Sequence, residues 1–98
     1  TATGTEVLHS GSVNGERLAK LVNTAIVKTL GLKDRGLKVI TREDRGGRLV
    51  VETKPPCILP ELFFLSNAND HKVGTAKRKE LAKAIVDAYE AFRAGKFI

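Results

Sequence analysis

One apolar stripe constrains this chain more than any other feature. Leu18, Leu21, Val22, Ala25, Ile26 and Leu30 recur at three- and four-residue spacing. On a helix of 3.6 residues per turn that spacing gathers all six on one face, which must then be laid against another apolar surface. Ser12 or Asn14 can cap the start of the helix, and Gly31 supplies a left-handed stop after Leu30. A second stripe of Leu81, Ile85, Ala88 and Phe92 predicts another long helix opening at Thr75. Lys77, Lys79, Lys83, Asp87 and Glu90 lie off that stripe, with Lys83 and Asp87 one turn apart and able to pair. Two such helices in 98 residues leave room for one modest core, so residues 1–98 form a single domain or part of one, with no second domain.

What the helices cover is read from the remaining periodicity. Thr5-Glu6-Val7-Leu8-His9, bracketed by Gly4 and Ser10-Gly11, predicts a short strand. Leu37-Lys38-Val39-Ile40 and Leu49-Val50-Val51 flank a polar turn containing Gly46-Gly47, which fits a hairpin. Pro55-Pro56 breaks the chain before its most apolar segment, residues 57 to 65. The cluster Ser66-Asn67-Ala68-Asn69-Asp70 then predicts a short helical turn ending near Gly74. Strands alternating with helices define the α/β class, here a mixed or parallel sheet flanked by helices.

Composition removes several function classes. No run of about 18 apolar residues exists, so no segment is predicted to span a membrane. Residues 1 to 12 have neither the basic start nor the apolar run of a signal peptide. A single cysteine, Cys57, excludes an internal disulfide framework, and two histidines, His9 and His71, make a self-contained histidine metal centre hard to build. Seventeen Lys and Arg against eleven Asp and Glu leave a net charge of +6, which suits a polyanionic partner or simply a solvated face. The basic residues are scattered, mostly with acidic neighbours. The five aromatics (Phe63, Phe64, Tyr89, Phe92, Phe97) do not interleave with a basic strand, which argues against nucleic-acid recognition.

One residue is chemically out of place. Between 57 and 65 every side chain is apolar except that of Glu61, and burying an unpaired carboxylate is costly. If residues 57 to 62 form an inner strand, Glu61 sits at its carboxyl end, where sites gather in open α/β sheets. Walled by Leu62, Phe63 and Phe64, its pKa would rise by desolvation, as a general acid or base requires. Alternatively, Glu61 points outward from a half-exposed strand, and Pro60, which cannot donate to a ladder, would interrupt one side of it. His9 reads as a surface or packed strand residue, His71 as solvated, and Cys57 as a small buried hydrophobe. Gly46-Gly47 between Arg45 and Arg48 could cradle an anion but reads better as a hairpin tip.

The segment Pro56-Cys57-Ile58-Leu59-Pro60-Glu61-Leu62-Phe63-Phe64-Leu65-Ser66-Asn67 resembles the signature near the end of zinc-dependent N-acetylmuramoyl-L-alanine amidases of the amidase-3 type. In that family a proline-led apolar strand ends in a Glu, followed by a small residue, a Phe and Ser-Asn. Gly4-Thr5-Glu6-Val7 is similar to the strand after the last metal-binding histidine of the family. Glu16-Arg17-Leu18-Ala19 resembles its following helix, Asp34-Arg35-Gly36-Leu37-Lys38 its Arg-Gly-Val-Lys element, and Leu81-Ala82-Lys83-Ala84-Ile85 its closing helix. Phe63 stands where the family usually has Gly, and Pro60 where it usually has a β-branched residue.

The resemblance implies the C-terminal portion of a larger α/β amidase domain. Such an enzyme cleaves the amide between the muramic acid lactyl group and L-alanine of peptidoglycan, using water activated by zinc. Glu61 corresponds by position to the glutamate that transfers a proton or stabilises the tetrahedral intermediate. Neither His9 nor His71 matches a zinc ligand, so the resemblance places the ligands in a missing N-terminal half and implies that this chain alone is inactive. It also implies action outside the cell, in the periplasm or at the wall, by a bacterial autolysin or a phage endolysin. The competing expectations are a non-catalytic basic module that binds cell wall and, less in keeping with the pattern, a small nucleic-acid-binding domain.

Overall fold

A computed structural model describes residues 2–96, and Phe97 lies outside them. The elements run β1 (Thr5–His9), α1 (Val13–Leu30), β2 (Asp34–Val39), α2 (Gly47–Glu52), β3 (Ile58–Glu61), α3 (Ala68–Ala76) and α4 (Arg78–Arg93). The three strands form one sheet in the order β2-β1-β3. β2 runs parallel to β1, as the intervening helix requires, and β3 runs antiparallel to it. The sheet is therefore mixed and flanked by helices.

α1 forms as its stripe predicts. The Ser12 side chain accepts a hydrogen bond from the Gly15 N–H, and Gly31 ends the helix at φ 69° while its N–H reaches the Val27 carbonyl. Leu18, Ala19, Val22, Ile26 and Leu30 are buried against Val7 of β1 and against Leu81 and Ala88 of α4. Ile58 and Leu62 close the same core from the β3 side. Strand alternation then decides the other face. Thr5, Val7 and His9 are buried, so Glu6 and Leu8 point away from α1. The register opposes Glu6 to Glu61 and Leu8 to Leu59, which puts all four on the face that the long helices leave uncovered.

Two expectations are corrected. The second arm of the expected hairpin, residues 49 to 51, is helical: α2 spans Gly47–Glu52. Gly46 enters it at φ 77°, and a β-carbon on Gly47 would collide with the Thr41 carbonyl. Ion pairs from Arg42 (2.6 Å) and Arg48 (3.4 Å) to Glu52 hold the short helix, so Gly46-Gly47 forms its tight entry and not a hairpin tip. The β-branched content of Val50-Val51 mimics a strand, but Val50 is buried as a helical residue. Second, β3 lies at an edge of this sheet. Pro60, opposite Val7, is tolerated there because its missing N–H costs no ladder bond on the open side. The last two helices also divide later than expected, with α3 reaching Ala76 and α4 beginning at Arg78.

Candidate active site

Glu61 is the last residue of β3 and lies directly across from Glu6 of β1. Beside the pair is a cavity of about 460 Å³ lined by Gly4, Glu6, Glu61, Phe63, Phe64, Leu65 and Ser66. The apolar wall is thus built by Phe63, Phe64 and Leu65. Leu62, which the sequence placed in that wall, turns to the opposite face and packs against the core, while the Thr5 hydroxyl donates to its carbonyl at 2.8 Å.

The two carboxyl groups are electrostatically unequal. Arg35 Nε lies 3.1 Å from Glu6 Oε1 and Lys38 Nζ lies 3.5 Å from the same oxygen. Partial burial pushes the Glu6 pKa up, but the hydrogen bonds from Arg35 and Glu61 and the nearby Lys38 ammonium outweigh it and hold Glu6 below its ordinary value. Glu61 shifts the other way. Desolvation raises its pKa, and the hydrogen bond and charge of Glu6 raise it further, only partly opposed by Arg35 and Lys38. The two carboxyl groups are thus driven apart: Glu6, ion-paired to Arg35 and Lys38, is the stronger acid and holds the charge more readily, and Glu61 is the weaker acid of the pair. A carboxyl group with a raised pKa beside a cavity is suited to exchanging a proton with a bound group.

The loop that closes the cavity is tied down by a residue the sequence reading treated only as part of a capping cluster. Asp70 is fully buried and accepts hydrogen bonds from the Thr3 hydroxyl, the Gly4 N–H (3.0 Å) and the Phe64 N–H (3.1 Å). Burial pushes its pKa up, yet these three donors outweigh burial and keep the carboxyl below its ordinary value. Asn67 caps α3 by accepting from the Asp70 N–H at 3.0 Å, and its side-chain amide donates to the Ala2 carbonyl at 3.1 Å. Residues before β1 and after β3 are thereby clamped around one carboxylate.

The other candidates lie elsewhere. His9 is buried at the far end of β1, where its Nδ1 accepts from the Gly11 N–H at 3.1 Å. His71 is exposed on α3, and Cys57 is half-buried just before β3. Among the described residues no three His, Cys, Asp or Glu side chains come together as a metal site. Likewise no helix is long and apolar enough to cross a membrane. Glu6 and Arg35 fall within segments that carry the family resemblance, but nothing in the sequence set them beside Glu61, because that juxtaposition comes from strand register.

Residues 1–91 match the N-acetylmuramoyl-L-alanine amidase family of the amidase-3 type, and the chain belongs to that family. The chain resembles the crystal structure of N-acetylmuramoyl-L-alanine amidase from Clostridium difficile 630, at 26% identity and a TM-score of 0.82, over 98% of this chain and 51% of that one. It also resembles the catalytic domain of the CD27L endolysin targeting Clostridia difficile, at 27% identity and a TM-score of 0.75, over 90% of this chain and 46% of that one. An uncharacterized protein of Bacillus subtilis (strain 168), YqiI, is 29% identical over 97 residues, which is 94% of this chain and 45% of its own length. The chain therefore spans about half the length of each of these three relatives.

Proposed function

We propose that this chain supplies the C-terminal part of a catalytic domain that hydrolyses peptidoglycan at the amide joining N-acetylmuramic acid to L-alanine. The observation that carries the reading is Glu61. It occupies the glutamate of the family-like Glu-x-x-Phe-x-Ser-Asn segment, and it lines a cavity with one apolar wall, its pKa raised by desolvation and by Glu6. In amide hydrolysis the carbonyl carbon gains the water oxygen, the C–N bond breaks, and the departing nitrogen must receive a proton. Glu61 is placed to deliver that proton and to be reprotonated from the attacking water. Zinc in the complete domain would polarise the carbonyl and lower the pKa of the water. In this reading the zinc ligands lie in the part of the relatives' length that this chain does not span, and the isolated chain is inactive. The working location is the extracellular space, the periplasm or the cell wall, and the +6 charge suits an anionic wall.

The products test the reading. Full-length protein carrying this chain, incubated with purified peptidoglycan, should release free amino groups on L-alanine without new reducing sugar ends. New reducing ends would identify a glycosidase instead. Salt-sensitive wall binding with no bond cleaved would identify a binding module.

A further inference from the structure

We propose that Glu6 is a positioning residue for Glu61: a carboxylate anchored by Arg35 and Lys38 that orients the Glu61 carboxyl across the strand pair. The inference rests on the reading of Glu61 as proton donor and extends it to three residues with no assigned role. Directly opposed residues on neighbouring antiparallel strands approach closely, and like charges at such a pair repel. Glu6 and Glu61 are such a pair, with Glu6 the less exposed of the two. Their juxtaposition is eased where cations neutralise the charge, and Arg35 and Lys38 form their ion pairs with Glu6, acting on Glu61 only from farther away.

The cations are delivered by a deliberate irregularity. Pairing between β1 and β2 runs Thr5 with Asp34, then Glu6 with Gly36, so Arg35 is an extra residue in a bulge. Bulges re-aim side chains, and this one turns Arg35 onto the face of Glu6. The bulge is itself braced. Gly36 adopts φ 83°, its N–H donates to Asp34 Oδ1 at 2.8 Å, and the Asn23 amide donates to the same oxygen at 2.9 Å. The Arg35 guanidinium stands 5.0 Å from the Phe64 ring centroid, while Lys38 Nζ donates to the Arg35 carbonyl at 3.1 Å as well as meeting Glu6. Both cations use Glu6 Oε1, and Glu61 stands directly across the strand pair from that carboxylate. The groups acting on Glu61 are therefore Glu6 from β1 and Arg35 and Lys38 from β2. Together they set the charged surroundings that the Glu61 carboxyl faces beside the cavity.

The test uses the full-length protein with ¹³C-labelled glutamate side chains, zinc-loaded and chelated, and reads both the Glu61 carboxyl titration and the pH profile of kcat/KM. Glu6→Gln removes the charge at constant shape and leaves Arg35 and Lys38 facing Glu61 alone. The Glu61 midpoint should move to lower pH, the limb of the profile that reports it should move the same way, and kcat should fall about 10-fold with KM little changed. Glu6→Asp keeps the charge and should keep the midpoint near wild type with part of the activity. Arg35→Gln removes a cation and should move the midpoint up, giving a second signed outcome if Glu6→Gln does not fold. An unmoved midpoint and profile in folded Glu6→Gln, or in Arg35→Gln, overturns the proposal. Wild-type turnover in Glu61→Gln would instead remove the reading beneath it, so the two failures are distinguishable.

Discussion

Gly74 is the position at which packing and the site meet most directly. A β-carbon there would come within 2.6 Å of Phe63 Cδ1 and closer still to Cε1 and Cζ, where ordinary contact begins at 3.4 Å. Phe63 occupies the position where the family usually has Gly, and its ring both packs on the core and lines the cavity beside Glu61. Its backbone does not need glycine, since no non-glycine residue has positive φ among those described. Gly74 is what makes room for the ring. Replacing it by Ala gains about 1 kcal/mol of helix propensity but forces an overpacked contact that costs about 1–3 kcal/mol. Because the obstacle is a side-chain ring and not backbone, the ring can yield by swinging toward the cavity. Gly74→Ala should therefore cost up to about 2 kcal/mol net and raise KM for peptidoglycan. With Phe63→Ala already in place the clash is gone and only the helix gain remains, so Gly74→Ala should become neutral or stabilising. Urea denaturation of the full-length wild type, both single variants and the double variant should give a coupling of about 1–3 kcal/mol. Coupling near zero, or a stabilised Gly74→Ala single variant with Phe63 intact, would refute the reasoning.

Ile26 is fully buried at the junction of α1 with the sheet, so Ile26→Ala should destabilise by about 2–5 kcal/mol in the same denaturation assay. Asp70→Asn should lower thermal stability at neutral pH and reduce the loss on acidification. The sign follows from the lowered folded pKa: the Asp70 contribution is complete above the ordinary carboxylate value and disappears as pH falls through the folded one. Thermal melts from neutral to acidic pH check this, and equal acid sensitivity in wild type and Asp70→Asn would contradict it.

The helices were legible because their signal is repeated over many residues. The stripe from Leu18 to Leu30 and the Gly31 stop act locally and are found as read, and of the two candidate caps, Ser12 and Asn14, it is Ser12 that caps the helix. β1 was legible from alternation and its glycine brackets. α2 was not, because six residues with two adjacent valines carry more strand propensity than helical period, and backbone closure at Gly46-Gly47 decides the outcome. Of the site, Glu61 stood out as a charge in an apolar run. Glu6 could not, since an alternating polar residue in a strand is unremarkable until register sets it across from a second carboxyl. The place of Arg35 beside Glu6 depends on a bulge, and the clamp at Asp70 on bonds to Thr3 and Gly4 spanning more than 60 residues, so neither role can be read from the local segment.

The most direct test of the central claim is turnover by Glu61→Gln in the full-length protein, measured on purified peptidoglycan alongside zinc content. The substitution keeps size and hydrogen bonding but removes the transferable proton, so kcat should fall by about 10²–10⁴ with zinc content unchanged. Turnover near wild type at unchanged zinc content would remove Glu61 from the chemistry.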